Sequence, residues 1–198
     1  DLEAILRQES FPLCTLESVT PLSSYDVVGF TLQYELSYAT IIQMLDLSGI
    51  PRDAAMRSKG DPLVVGGGPG AFNPEPLADF FDFFIIGDAE ESLPQVLEVI
   101  EGQKDYSRQE LLLRLSRIRG VYVPSLYGEE HAADGSYLGT VPGEDGLPRR
   151  IQRAVVADLN TAPYPAKFIV PYSGIVHDRL VLELFRGCTR GCRFCQAG

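Results

Sequence analysis

Hydrophobic and polar positions along the chain follow two alternating patterns. Continuous apolar runs at residues 25–32 (YDVVGFTL), 61–67 (DPLVVGG) and 81–87 (FDFFIIG) have the length and the β-branched or aromatic content of buried strands. A shorter run at 11–18 (FPLCTLES) predicts another strand. Between the runs the period changes to that of a helix. Tyr38, Ile41, Ile42 and Leu45 share one helical face, with Ser37 as a cap before them and Gly49 and Pro51 closing the segment. Residues 74–81 (PEPLADFF) predict a short helix opened by prolines. Asp88 with Glu91 forms a capping-box pattern opening a helix over 92–100, and Ser107 with Glu110 opens another whose Leu111, Leu115 and Ile118 share a face.

Strands without polar alternation, separated by helices, belong to a parallel sheet covered on both faces. The expected fold class is therefore α/β, with a doubly wound parallel sheet over residues 1–120. Residues 120–127 (GVYVPSLY) and 136–142 (SYLGTVP) flank Asp134-Gly135, which predicts an appended β-hairpin over 121–141. Residues 142–178 are rich in Pro and Gly and predict an extended linker. Residues 180–185 (LVLELF) predict a new strand at the start of a last segment, 179–198.

Charge narrows the function. With 17 Lys and Arg against 27 Asp and Glu, the net charge of −10 argues against a broad nucleic-acid surface. No run reaches the roughly 18 apolar residues of a membrane span, and the N-terminus lacks the pattern of a secretory signal. The expectation is a cytoplasmic protein without membrane contact. The chain begins without Met, which predicts a piece of a longer polypeptide.

Three of the four cysteines, Cys188, Cys192 and Cys195, fall within eight positions, in CTRGCRFC. Clustered thiols without a secretory signal point to a reducing compartment and to metal. Three thiolates on one short loop can cap three corners of a cubic iron-sulfur cluster and leave one iron open. Zinc is the alternative, but a closed zinc site needs a fourth ligand, and Cys14, His131 and His177 all lie outside finger spacing. Arg186, Arg190 and Arg193 surround the thiols and could offset the negative charge of such a cluster.

With Gly187 before the first Cys and Phe194 before the last, this stretch resembles the CxxxCxΦC signature of the radical S-adenosylmethionine superfamily. The resemblance implies that Cys188, Cys192 and Cys195 hold a 4Fe-4S cluster, that S-adenosylmethionine occupies the open iron, and that Phe194 lies beside its adenine. It further implies reductive cleavage to a 5′-deoxyadenosyl radical, an electron donor such as a flavodoxin or ferredoxin, and a partial (β/α) barrel of which 179–198 is the first strand and cluster loop. No catalytic residue is assigned, and the fragment is expected to be inactive alone, with the full-length parent as the enzyme.

The preceding segment, through YDVVGFTLQYELSY, LVVGGGPGAFNPEPLADFFD and FFIIGDAEE, resembles the Rossmann-like, flavodoxin-like cobalamin-binding-like domain that often precedes that barrel. Cobalamin is thus a further candidate cofactor, although the Asp-x-His-x-x-Gly lower-ligand loop is absent from the sequence. Gly66, Gly67, Gly68 and Gly70 are the positions where backbone could approach a flat macrocycle or a phosphate; a tight strand exit explains them equally. Two other functions stay open on the residues alone: a cobalamin- or ligand-binding module, and a zinc-stabilised interaction domain. Glu90 and Glu91 read as helix N-terminal charges, His131 and His177 as surface histidines, and Phe80, Phe81, Phe83 and Phe84 as core.

Overall fold

The computed structural model describes residues 2–102, 106–165, 167 and 182–195. They divide into two units, Asp1–Val155 and Val156–Gly198.

In the first unit an N-terminal helix α1 (Leu2–Gln8) precedes a four-stranded sheet. Its strands are β1 (Val27–Thr31), β2 (Leu63–Gly67), β3 (Phe83–Ile85) and β4 (Val121–Tyr122), in the spatial order β1-β2-β3-β4. The first three are parallel, and β4 is antiparallel to β3. Because strand side chains alternate between faces, each run supplies both layers. Val28, Val64 and Phe84 face the layer containing α2 (Tyr38–Leu47), where Ile41 and Leu45 are buried. Leu63, Val65, Phe83 and Ile85 face the layer of α3 (Ala89–Glu101) and α4 (Arg108–Leu115), against Val96, Leu112 and Leu115. Complete burial of side chains such as Phe83 and Phe84 stabilises the fold by about 1.5–3 kcal/mol each.

Both faces are covered, as expected, but strand order runs without reversal. A doubly wound sheet switches direction part-way and opens a crevice there. The four described strands have no such switch point, because β4 returns antiparallel on the outer side of β3.

Helix α2 ends as its sequence predicts. Gly49 takes φ +70, its N–H donates to Asp46 O at 3.1 Å, and Ile50 N–H donates to Leu45 O at 3.0 Å, the paired bonds of a Schellman motif. Ser37 occupies the cap position, yet its hydroxyl turns back to donate to Tyr34 O and caps nothing. The Ser107–Glu110 capping box forms in full. The Asp88–Glu91 pattern does not: Asp88 is the N-cap in position without a side-chain cap bond, and α3 begins at Ala89 rather than Ser92.

At Ser107 the hydroxyl and the backbone N–H both donate to Glu110 Oε2, at 2.7 and 2.9 Å, which holds this carboxyl below the ordinary glutamate value. A depressed folded pKa gives stability that is present above the unfolded pKa and is lost as pH falls through the folded one. Glu110→Gln is therefore expected to flatten the acid-side loss of stability, read as thermal midpoint against pH; an unchanged profile would show that the carboxylate does not contribute.

Four other expectations are corrected. The predicted helix at 74–81 is a single 3-10 turn, Glu75–Leu77, with a second at Pro69–Phe72; the N–H groups of Leu77, Ala78 and Phe80 donate three residues back, to Pro74, Glu75 and Leu77, rather than four. Residues 11–18 form no strand beyond a bridge between Cys14 and Pro21; Pro12, Leu13, Cys14 and Thr15 are only half-buried and Leu16 is fully exposed, so the run lacks the burial of a sheet strand. The hairpin is β5 (Tyr127–His131) with β6 (Tyr137–Pro142), turning through Gly135 at φ +84. Its first strand starts later than predicted because Val121 and Tyr122 pair with β3 in the main sheet and Pro124–Leu126 make a 3-10 turn. The predicted linker also begins too early: the first unit runs to Val155, with Ala154 buried.

The described part of the second unit has no helix or strand. The predicted strand at 180–185 is not formed at Leu182, Glu183, Leu184 or Phe185; residues 180 and 181 lie outside the described residues. An extended segment becomes a strand only when a neighbour takes its backbone hydrogen bonds, and no described strand pairs with this one.

Candidate functional site

The cysteine loop is shaped by glycine. Gly187 and Gly191, each one residue before a cysteine, have φ +81 and +63, conformations that cost a side chain with a Cβ about 1–2 kcal/mol. They turn the chain at Cys188 and again at Cys192, after which Cys195 N–H donates to Cys192 O at 3.0 Å and closes a tight turn. All three cysteines are exposed. Among the described residues, no three His, Cys, Asp or Glu side chains are gathered closely enough to hold a metal ion. The donor set is that of a thiophilic metal or an iron-sulfur cluster, but the thiols share a loop without yet converging on a point.

Around them, Phe194 is 93% exposed, as are most of the surfaces of Leu182, Leu184 and Phe185. Arg186 grips Glu183 with two parallel bonds, Nε to Oε1 at 2.7 Å and Nη2 to Oε2 at 2.9 Å. Its charge is thus already offset locally, while Arg190 and Arg193 stand exposed. His177 lies outside the described residues. His131 sits on the hairpin, Nε2 2.9 Å from Glu129 Oε2, and that hydrogen bond raises its pKa; it is exposed there, as its acidic neighbours suggested.

The glycine run at the end of β2 has a packing explanation. A Cβ on Gly66 would lie 2.7 Å from the Phe84 ring, and one on Gly68, at φ +88, would lie 3.1 Å from Thr31 Cγ2. Gly67 has room, its nearest neighbour being Ile85 O at 3.9 Å. The loop also clamps the exit of β1: Leu32 N–H donates to Gly67 O at 2.7 Å and Gly70 N–H to Leu32 O at 2.8 Å. Gly66 and Gly68 therefore admit the chain's own side chains and backbone at close range.

Beyond β3, Gly87 at φ +101 lets the segment around Ala154 lie against the sheet. Ala154 N–H donates to Ile86 O and Asp88 N–H to Ala154 O, both at 2.9 Å. Two features escaped the sequence reading. One is a buried ion network of Asp82 with Arg57 and Arg108; its signal was a carboxylate inside the apolar run FFDFFII. The other is an arginine-lined cavity beside α4, foreshadowed by arginine-rich RLSRIR and RRIQR, which lie far apart in sequence.

The family described as radical SAM proteins, N-terminal, matches residues 1–124. The chain is also 29% identical over 184 residues to an uncharacterized protein of Methanocaldococcus jannaschii, a match covering 92% of this chain and 32% of the relative. The chain thus spans about a third of that relative's length. No solved structure matches. Together with the cysteine spacing that follows it, the match over most of the first unit shows that the chain belongs to the radical SAM proteins and carries their N-terminal domain.

Proposed function

We propose that the parent polypeptide is a radical S-adenosylmethionine enzyme, to which this chain contributes the N-terminal α/β domain and the cluster-binding loop. The observation that carries this reading is the loop itself: three exposed thiols in eight residues, turned by two left-handed glycines, behind the family's N-terminal domain. Cys188, Cys192 and Cys195 would hold a 4Fe-4S cluster, and Phe194 would lie against the adenine of S-adenosylmethionine. When bound, this pair of cofactors supplies a 5′-deoxyadenosyl radical by reductive cleavage, with the electron delivered by a small carrier such as a flavodoxin or ferredoxin.

The chain's own residues hold and shield. Gly187 and Gly191 let the loop fold back so that thiols four and three positions apart can approach one compact group. The apolar side chains of Leu182, Leu184, Phe185 and Phe194, exposed in this chain, would pack against further walls of the parent and keep water from the cluster. Arg190 and Arg193 would lower the cost of the cluster's negative charge. Among the described residues no helix is long and apolar enough to cross a membrane. Cobalamin receives no role, because the spaces beside Gly66 and Gly68 are filled by Phe84, Thr31 and Leu32.

The test uses the full-length parent, reconstituted anaerobically with iron and sulfide, reduced, and given S-adenosylmethionine. The expected result is 5′-deoxyadenosine formation that falls to background in a Cys188→Ala, Cys192→Ala, Cys195→Ala variant, together with loss of bound iron and sulfide. A colourless protein that retains zinc and forms no deoxyadenosine would overturn the reading in favour of an interaction domain.

A further inference from the structure

We infer that the first unit carries a binding site for a small phosphate-bearing ligand, in the cavity between the end of α4 and residues 145–152. The cavity has a volume of about 510 Å³, within the roughly 300–1,000 Å³ of small-molecule sites. Its charged lining is uneven: Arg117, Arg119 and Arg150 against one carboxylate, Asp145. Such an excess is unexpected on a chain of net charge −10. Six of its 17 basic residues, Arg114, Arg117, Arg119, Arg149, Arg150 and Arg153, come from two short stretches more than 25 positions apart that the fold brings together.

The six do not all serve the same end. Arg114 turns away, its guanidinium 4.2 Å from the Tyr106 ring centroid and bonded to the phenol oxygen. Arg149 lies 3.8 Å from Glu130. Arg119 is steadied by donating from Nε to Arg153 O at 3.3 Å, which leaves its terminal nitrogens for another acceptor. Among the described residues, Arg117 and Arg150 have no ion pair. A cation just past the end of α4 is favoured by the helix dipole, and this accounts for Arg117; it does not account for Arg150, which arrives on a different segment. Like charges around one cavity repel, and an anion between them removes that cost.

Apart from Ser116 and Gln152, the rest of its lining is apolar. Leu113, Ile118, Val121, Leu147 and Ile151 contribute to its lining, and Leu113, Ile118 and Leu147 pack partly buried against the core. Guanidinium groups that can take a phosphate in paired hydrogen bonds, above an apolar floor suited to a flat organic body, fit a nucleotide better than a bare anion. The limited volume and the acidic remainder of the chain favour a small ligand over a nucleic-acid polymer.

The probes are adenosine diphosphate and inorganic phosphate, titrated calorimetrically into the full-length parent. Adenosine diphosphate is expected to bind saturably, more tightly than phosphate, and to weaken with added salt. Arg117→Gln with Arg150→Gln is expected to cost at least about tenfold in affinity, since each removes charge-assisted bonds. Asp145→Asn removes the one opposing charge and is expected to strengthen binding, a gain that misfolding cannot produce. Absence of saturable binding of either probe, unchanged affinity in the double arginine variant with an unchanged Asp145→Asn titration, or binding of single-stranded RNA alone would each overturn the proposal.

Discussion

Asp82→Ala is expected to destabilise the first unit by about 3–5 kcal/mol, a large part of the roughly 5–15 kcal/mol that holds a domain folded. The carboxylate is buried at the start of β3 and accepts from three directions. Arg57 Nη1 and the Val64 N–H reach Oδ2 at 2.8 and 2.7 Å, while Arg108 Nη2 and Nε reach Oδ1 at 2.8 and 3.1 Å. Arg57 is fully enclosed, and its other donors go to the carbonyls of Pro51, Arg52 and Phe80. Burial pulls its pKa down while Asp82 pulls it back up. Removing the carboxylate leaves this guanidinium without a counter-charge and the Val64 N–H without an acceptor.

Urea and thermal midpoints measure the effect. Asp82→Asn, which keeps an acceptor but no charge, should fall between wild type and Ala. The attraction of the pair is not itself the source of stability, because taking two ions out of water offsets most of it. Replacing Asp82 together with Arg57, as Asp82→Leu and Arg57→Met, leaves only Arg108, which reaches solvent, without its carboxylate, and should therefore cost less than Asp82→Ala alone. An Asp82→Ala protein within about 1 kcal/mol of wild type, the scale of an ordinary surface-to-average substitution, would sink the argument.

This network shows where the sequence was legible and where it was not. Apolar runs located β1, β2 and β3 because a strand covered on both faces loses the polar alternation of a half-exposed one and reads as a continuous apolar stretch. The helix of Tyr38, Ile41 and Leu45 could be read because its glycine stop is a local steric requirement at φ +70. Asp82 lay inside a correctly located strand region, but its partners are 25 and 26 positions away, and only the fold brings them near. The same limit misplaced the hairpin. Val121 and Tyr122 have equal propensity for a hairpin and for the sheet edge, and pairing with Ile85 and Phe84 decided it. The cysteine loop was the reverse case: its chemistry lies in the spacing of three residue types, so it was readable without a fold, whereas its strand expectation depended on neighbours. The glycines stand between these extremes. Their presence announced close approach, and the structure supplied the approaching atoms, Phe84 at Gly66 and Leu32 at Gly68 and Gly70.

Gly87 makes the approach that tolerates least change, and Gly87→Ala is expected to cost about 3 kcal/mol. A Cβ there would lie 2.1 Å from Ala154 O and 2.7 Å from Ala154 N, contacts that no rotamer relieves because both atoms are backbone. The left-handed conformation at φ +101 adds strain of about 1–2 kcal/mol for a residue with a Cβ. To make room, residues around 154 must leave the sheet, breaking the bonds from Ala154 N–H to Ile86 O and from Asp88 N–H to Ala154 O, at about 1 kcal/mol each. The damage should be local. Amide exchange is expected to quicken at Ala154 and Asp88 while β1 and β2 keep their protection, which separates a lifted segment from general unfolding. An Ala variant with wild-type midpoint and wild-type protection at both amides would mean that the segment can shift without loss, and that Gly87 is not what holds the last part of this unit against β3.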